Sequence, residues 1–231
     1  MNTRPLKLIS SMAARELLRE LADQYQAATG ETVVTEAAGG VDVAKRIAAG
    51  ESADVVVLSD TAIDKLIVEG KVLSGSRTDL VKSGVAIAVK AGAPRPDIGS
   101  EAAVKQAVLA AKSLSFSTGP SGVYLEKLFA RWGILDSVKP RIVVPPPGIP
   151  VGTLVAQGDA ELGFQQLSEL MNLDGITVLG PLPPEIQTLT IFAGGIVAQG
   201  SDAARARALL DFMNTPATAA TKQRQGMEPA A

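Results

Sequence analysis

A chain of 231 residues that is 46% hydrophobic and 20% charged can bury one large core or two cores of about 100 residues each, and it is too apolar for disorder. With 22 basic against 24 acidic side chains, a net charge of −2 and 3% aromatic residues, it offers nucleic acid neither an attracting field nor a stacking surface. It has no Cys and no His, which excludes disulfides, thiolate nucleophiles and a Ser-His-Asp triad, and a metal would have to be held by carboxylates alone; no metal and no cofactor is expected.

In chain order, Leu6 to Ile9 reads as a short buried strand, and Ser10-Ser11 precede a helix from about Ala13 in which Leu17, Leu18, Leu21, Ala22 and Tyr25 recur at helical spacing. Thr29-Gly30 ends that helix. A strand follows at 32–35, then Gly39-Gly40 open a helix to about Ala49, and Gly50 stops it. Ala53 to Leu58 is a continuous apolar strand of the kind buried on both faces, and Ser59-Asp60 begin a helix through Ile67. The alternation strand–helix–strand–helix–strand–helix predicts an α/β fold with a doubly wound sheet, whose ligands sit beyond the carboxyl ends of its strands.

The pattern restarts after Gly84. Strands are predicted at 85–89, 114–117, 141–144 and 160–164, with Gln165-Gln166 following the last. Helices are predicted at 101–111, 123–132 and 151–157, and Thr118 to Gly122 forms a turn. A long strand at 187–197 and a helix from Ala203 to Met213 come next, and Thr215-Pro216 begin the final helix. The first and last segments are read as one lobe, 1–80 plus 192–231, and the middle, 81–191, as a second. Two crossings near Thr78–Gly84 and Thr188–Gly194 form the hinge. No apolar run reaches the roughly 20 residues of a membrane span, so no membrane insertion is expected. Leu6 to Ile9 is too short for a signal-peptide core, so the chain as written reads as cytoplasmic, and as periplasmic if an export signal has been trimmed.

Several strand ends are followed by small or hydroxyl residues at presumed helix starts, where unpaired N–H groups and the helix dipole make a site for a small anion. Ser10 and Ser11 fit such a site or a plain helix cap; Gly39 and Gly40 fit a close ligand approach or a turn; Ser121 and Gly122 fit the same two readings. Ser59 stands at a third start. Gln165 and Gln166 would be costly after a buried strand unless paired, and a ligand could pair them. Arg77 is the cation near a crossing, and Asp54 and Asp60 read as caps or braces.

Particular stretches also resemble one family. Leu17 to Gly30, with Leu21-Ala22, Tyr25 and Ala28-Thr29-Gly30, is similar to the first helix of molybdate-type periplasmic solute-binding proteins. Ile47-Ala-Ala-Gly-Glu-Ser-Ala-Asp-Val-Val-Val57 resembles that family's entry into the third strand, and Thr118-Gly-Pro-Ser-Gly-Val-Tyr124 its turn into a helix of the other lobe. Leu154-Val-Ala-Gln-Gly-Asp-Ala-Glu-Leu-Gly163 and Ala204 to Pro216 resemble its later segments. The resemblance implies a two-lobed type 2 periplasmic-binding-protein fold, each lobe a doubly wound sheet, closing on an anion in the inter-lobe cleft. Serine hydroxyls and backbone N–H groups would hold the anion.

Carried over, Ser10 and Ser11 stand at the first ligand loop. Gly39 and Gly40 stand where molybdate binders usually have a serine. Ser121, Gly122 and Val123 stand at the first loop of the other lobe, and Gln165 and Gln166 where the family often has a tyrosine. These departures fit an organic carboxylate at least as well as molybdate. Two readings stay open: a monomeric binding protein that delivers an anion to an ABC permease if exported, and an isomerase on the same scaffold, acting on a small tricarboxylate such as aconitate. The second needs a base, and without His or Cys it must be a carboxylate, Lys, Tyr or an activated Ser.

Overall fold

The computed structural model describes residues 4–200 and 202–230, so the ends of the expected first lobe, 1–3 and 231, lie outside the described residues. In chain order the elements are β1 (Leu6–Ser11), α1 (Arg15–Thr29), β2 (Val33–Ala38), α2 (Gly40–Ala48), β3 (Val55–Ser59), α3 (Asp60–Val68) and β4 (Thr78–Lys90). Then come α4 (Glu101–Ala110), β5 (Leu114–Phe116), α5 (Pro120–Arg131), α6 (Leu135–Val138), α7 (Val151–Gln157), β6 (Leu162–Gln166), α8 (Leu167–Leu170) and β7 (Ile176–Pro181). β8 (Leu189–Ile196), α9 (Ala203–Met213), α10 (Ala219–Arg224) and β9 (Glu228–Pro229) complete the chain. No helix among the described residues is long and apolar enough to cross a membrane.

The chain divides into two compact units, Met1–Lys82 with Ile191–Ala231 and Ser83–Thr190. In the first unit β1 lies between β2 and β3, parallel to both, and β8 runs antiparallel on the far edge of β3. Every residue of β3 is buried, because both faces are covered. Its side chains alternate: Val55 and Val57 join Leu6, Leu8, Leu17, Leu21, Leu209 and Leu210 under α1 and α9. Val56 and Leu58 join Ile9, Val43, Ile47, Ile63 and Leu66 under α2 and α3. β1 obeys the same alternation, which sends Leu8 to the α1 face and Ile9 to the α2 face.

In the second unit β4 is flanked by antiparallel β6 and β7, and β5 lies parallel on the outer edge of β6. Its core gathers Val85, Ile87, Val104, Val108, Leu125, Leu162 and three packed rings, with Phe129 edge-on to Phe116 and Phe164 at 6.0 and 6.2 Å. The sheet of each unit is mixed, with antiparallel neighbours beside the parallel pairs.

Several elements differ from the sequence reading: α5 begins at Pro120, so Ser121 and Gly122 of the expected turn are helical, and the short elements α6, α8 and β9 were not expected. The stretch 141–144 is not a strand: a single 3-10 turn, Lys139–Arg141, leads to one bridge between Leu114 and Ile142. Pro140 and the prolines at 145–147 lack the N–H groups that a ladder needs. β6 ends at Gln166, two residues beyond the expected end, so Gln165 and Gln166 are strand residues. β7 was not expected, since its Ile-Thr-Val-Leu-Gly-Pro run carries a glycine and a proline that read as loop.

Candidate functional site

The carboxyl ends of β1, β2 and β3 lie side by side, with Ser11 opposite Ala38 and Ser10 opposite Val57. Each strand passes at once into a helical turn: Ser11 into the 3-10 turn Met12–Ala14 ahead of α1, Gly39 into α2, and Ser59 into α3. None of these three N-cap residues makes a side-chain cap hydrogen bond. Two helices, α4 and α9, are capped by their N-cap side chains, Ser100 accepting from the Ala103 N–H at 3.2 Å and Asp202 from the Arg205 N–H at 3.1 Å, while the N-cap residues of α5, α6, α7, α8 and α10 make no such bond. First-turn amides gathered at three such starts, with the positive ends of their dipoles, favour a bound anion.

Ser11 stands at the middle of this group. It is 6% exposed, and its hydroxyl is the buried side-chain polar atom without a hydrogen-bond partner among the described residues. A buried hydroxyl left unpaired costs about 1–3 kcal/mol, so a water or a ligand group at this point is favoured. Gly40 keeps the approach open, since a β-carbon there would stand 3.5 Å from the Ser11 β-carbon. Asp42 and Asp60 sit in the first turns of α2 and α3, and the Asp60 carboxylate accepts from the Thr61 N–H. Ser59 is buried, with its hydroxyl 3.3 Å from that of Thr61.

Ser10 faces the other way. Its hydroxyl donates to the Ser11 carbonyl at 3.1 Å, and it lines a cavity of about 190 Å³ with Arg15, Glu16, Arg19, Thr35, Glu36 and Ala37. Arg77 is committed to protein carboxylates: it donates to Asp79 at 2.8 Å and to Asp64 at 2.7 Å, and lies 3.9 Å from Asp60. These contacts hold its guanidinium firmly charged and engaged as a brace of the α3–β4 connection. Asp54 likewise braces, accepting from Arg4 and from the Lys7 N–H.

In the second unit the start of α5 carries Ser121, Gly122 and Val123. The Ser121 hydroxyl lies 3.3 Å from that of Ser117, which also accepts from the Gly119 N–H. The Val123 N–H makes the first bond of the helix, to the Gly119 carbonyl, and its side chain is exposed. The N–H groups of Ser121 and Gly122 precede that first bond and point out of the helix start.

The two glutamines are spent on the protein itself. Gln165 accepts from the Val151 N–H at 3.0 Å, so it caps α7, and donates to Glu169 at 2.7 Å. Gln166 is satisfied when its nitrogen donates to the Ser83 and Gly84 carbonyls and its oxygen accepts from the Thr190 hydroxyl. Sequence reasoning correctly required partners for two buried carboxamides, but these partners are internal. It missed Arg15, Arg19 and Thr35. Arginines four apart at the opening of the first helix were the available signal.

An α/β framework with helix starts gathered at parallel strand ends is the arrangement of a ligand-binding α/β fold. The profile of bacterial extracellular solute-binding proteins matches residues 6–228, and the chain belongs to that family. It is 38% identical to an aconitate isomerase from a Pseudomonas species, over 97% of this chain and 87% of that one. It is 29% identical to the molybdate-binding protein ModA of Azotobacter vinelandii, over 86% of this chain and 80% of that one. The solved periplasmic molybdate-binding protein of A. vinelandii superposes with a TM-score of 0.81 at 22% identity, covering 98% of this chain and all of that one. The α/β fold is therefore the periplasmic-binding-protein fold of the molybdate binders.

Proposed function

We propose that this protein binds a small organic polycarboxylate and isomerises it, with aconitate or a close relative as substrate. The observation that carries the anion reading is the unpartnered, buried hydroxyl of Ser11 beside the start of α2, which has no side-chain cap. A carboxylate oxygen accepts from that hydroxyl and from backbone N–H groups without any need for a cationic side chain. The 38% identity to an aconitate isomerase along nearly the whole chain supports an organic acid over a metal oxyanion.

The reaction is a proton shift: a proton leaves one carbon of the substrate's allylic system and returns at the other end. No atom is gained or lost and no redox partner enters. The chain has no His and no Cys, so the base is a carboxylate, a lysine, a tyrosine or an activated serine. Helix-start amides at the substrate carboxylate would favour the charge that develops there on deprotonation.

Incubation of the protein with cis-aconitate in D₂O, followed by proton NMR, tests the reading. Growth of an isomer with loss of a C–H signal is expected. Unchanged signals from a substrate that nevertheless stabilises the fold would make the protein a binder. The likeness to molybdate-binding proteins favours a second reading, an oxyanion carrier. Thermal stabilisation by molybdate and not by tricarboxylates would establish it, since a ligand bound by the folded state alone raises stability as RT ln(1 + [L]/Kd).

A further inference from the structure

Resting on that reading, we infer that the cavity beside Ser10 is a second subsite, in which Arg15 and Arg19 receive a distal carboxylate of the bound polycarboxylate and so select against compact oxyanions.

The guanidiniums are arranged for an incoming ligand. Arg15 and Arg19 stand one helical turn apart on α1 and share one partner, Glu16, which takes the Nε of each at 2.9 and 3.2 Å. Their terminal nitrogens have no partner among the described residues. Arg46, Arg77 and Arg207, by contrast, each commit terminal nitrogens to protein oxygens. Glu16 therefore orients both forks while leaving their outer edges available, and a carboxylate is the group such edges take in pairs.

The charge balance around the cavity agrees. Glu36 is the other acid in the wall, and it is already offset by Arg46 and by Lys7 at 3.5 Å. Arg46 holds the Glu36 carboxyl below the usual range. Arg15 and Arg19 against Glu16 then leave one net positive charge. The buried Ser10 and the Thr35 side chain supply neutral polar groups to the wall.

Size and position point the same way. A cavity of about 190 Å³ holds roughly six waters' share of liquid, enough for a carboxymethyl arm with some water. Ser10 and Ser11 are consecutive, about 3.8 Å apart at Cα, and their side chains leave opposite faces of the last turn of β1. To meet both side chains a ligand must straddle the end of the strand, which asks for a longer molecule than a tetrahedral oxyanion.

The test is calorimetry with tricarballylate, a tricarboxylate that cannot isomerise, and with molybdate, on the wild-type protein, the double variant Arg15→Gln/Arg19→Gln, and Ser11→Asp. Two lost charge-assisted contacts predict at least a tenfold loss of tricarballylate affinity in the double variant. Any molybdate affinity should stay within threefold of wild type, and the circular dichroism melt should show an intact fold. A folded double variant that binds tricarballylate as the wild type does would overturn the subsite while leaving the Ser11 site standing. Wild-type protein that binds molybdate but not tricarballylate would overturn the subsite too. Undiminished tricarballylate binding by Ser11→Asp would instead overturn the anion site on which the subsite rests.

Discussion

The carbonyl oxygen of Ser117 fills the position that a side chain on Gly122 would occupy, with the Phe116 ring 3.2 Å from the same point. The backbone just after β5 therefore lies too close to the start of α5 for any side chain at this position. Gly122→Ala must push backbone away from backbone. Its expected cost is about 3 kcal/mol, the upper end for overpacking, because a carbonyl cannot change rotamer. Urea denaturation should show a lower midpoint at unchanged slope. A midpoint equal to wild type would mean that the strand end yields freely.

Ser11→Ala should separate stability from binding. The wild-type hydroxyl is buried and unpartnered, so its removal relieves a desolvation cost, and the ligand-free protein should gain about 1 kcal/mol in a urea titration. The same change removes a donor to a charged ligand and should weaken anion binding by about 1.5–3 kcal/mol, read by calorimetry. A variant that loses both stability and affinity would show that Ser11 has an internal partner in the free protein.

The sequence carried the framework because burial on two faces leaves a plain trace. Val55 to Leu58 had to be a central strand, and the helical spacing of Leu17, Leu18, Leu21 and Tyr25 had to face it. The helix starts at Gly39 and Ser59 were legible from the residues that punctuate them. What the sequence could not tell was direction. Ser10 and Ser11 look alike in a row of letters, yet strand alternation sends one to a cavity on the α1 face and the other to the α2 start. Gln165 and Gln166 were legible as buried and in need of partners, but those partners, Val151, Ser83 and Thr190, lie from 14 to more than 80 positions away. Pairing at that distance is set by the fold and leaves no local pattern.

Gln165→Leu follows from that correction. The change leaves the Val151 N–H buried without an acceptor and removes the donor to Glu169. A loss of about 1–3 kcal/mol is expected in denaturant titration. Tricarballylate affinity should change by less than threefold, because the carboxamide is engaged on both ends within the protein. A large loss of affinity without loss of stability would put Gln165 back at the ligand.

Lys222, on α10, is 2% exposed, and burial alone lowers its pKa below the ordinary 10.5. No neighbouring carboxylate contributes to that shift. The folded state therefore prefers the neutral amine, while the unfolded chain keeps the ammonium until pH 10.5. Below the folded pKa both states are protonated, and the fold bears the full cost of burying the charge. Between the two pKa values the unfolded state binds more protons, so stability rises with pH, and above both the cost is gone. Lys222→Met keeps the unbranched stem and removes the amine, and should stabilise the protein by about 1–3 kcal/mol at neutral pH. The gain should shrink as pH climbs toward 10.5. Thermal melts of both proteins from pH 6 to pH 10.5 supply the comparison. A gain that stays constant over that range would mean that the amine reaches water in the folded state and that the difference comes from packing of the stem.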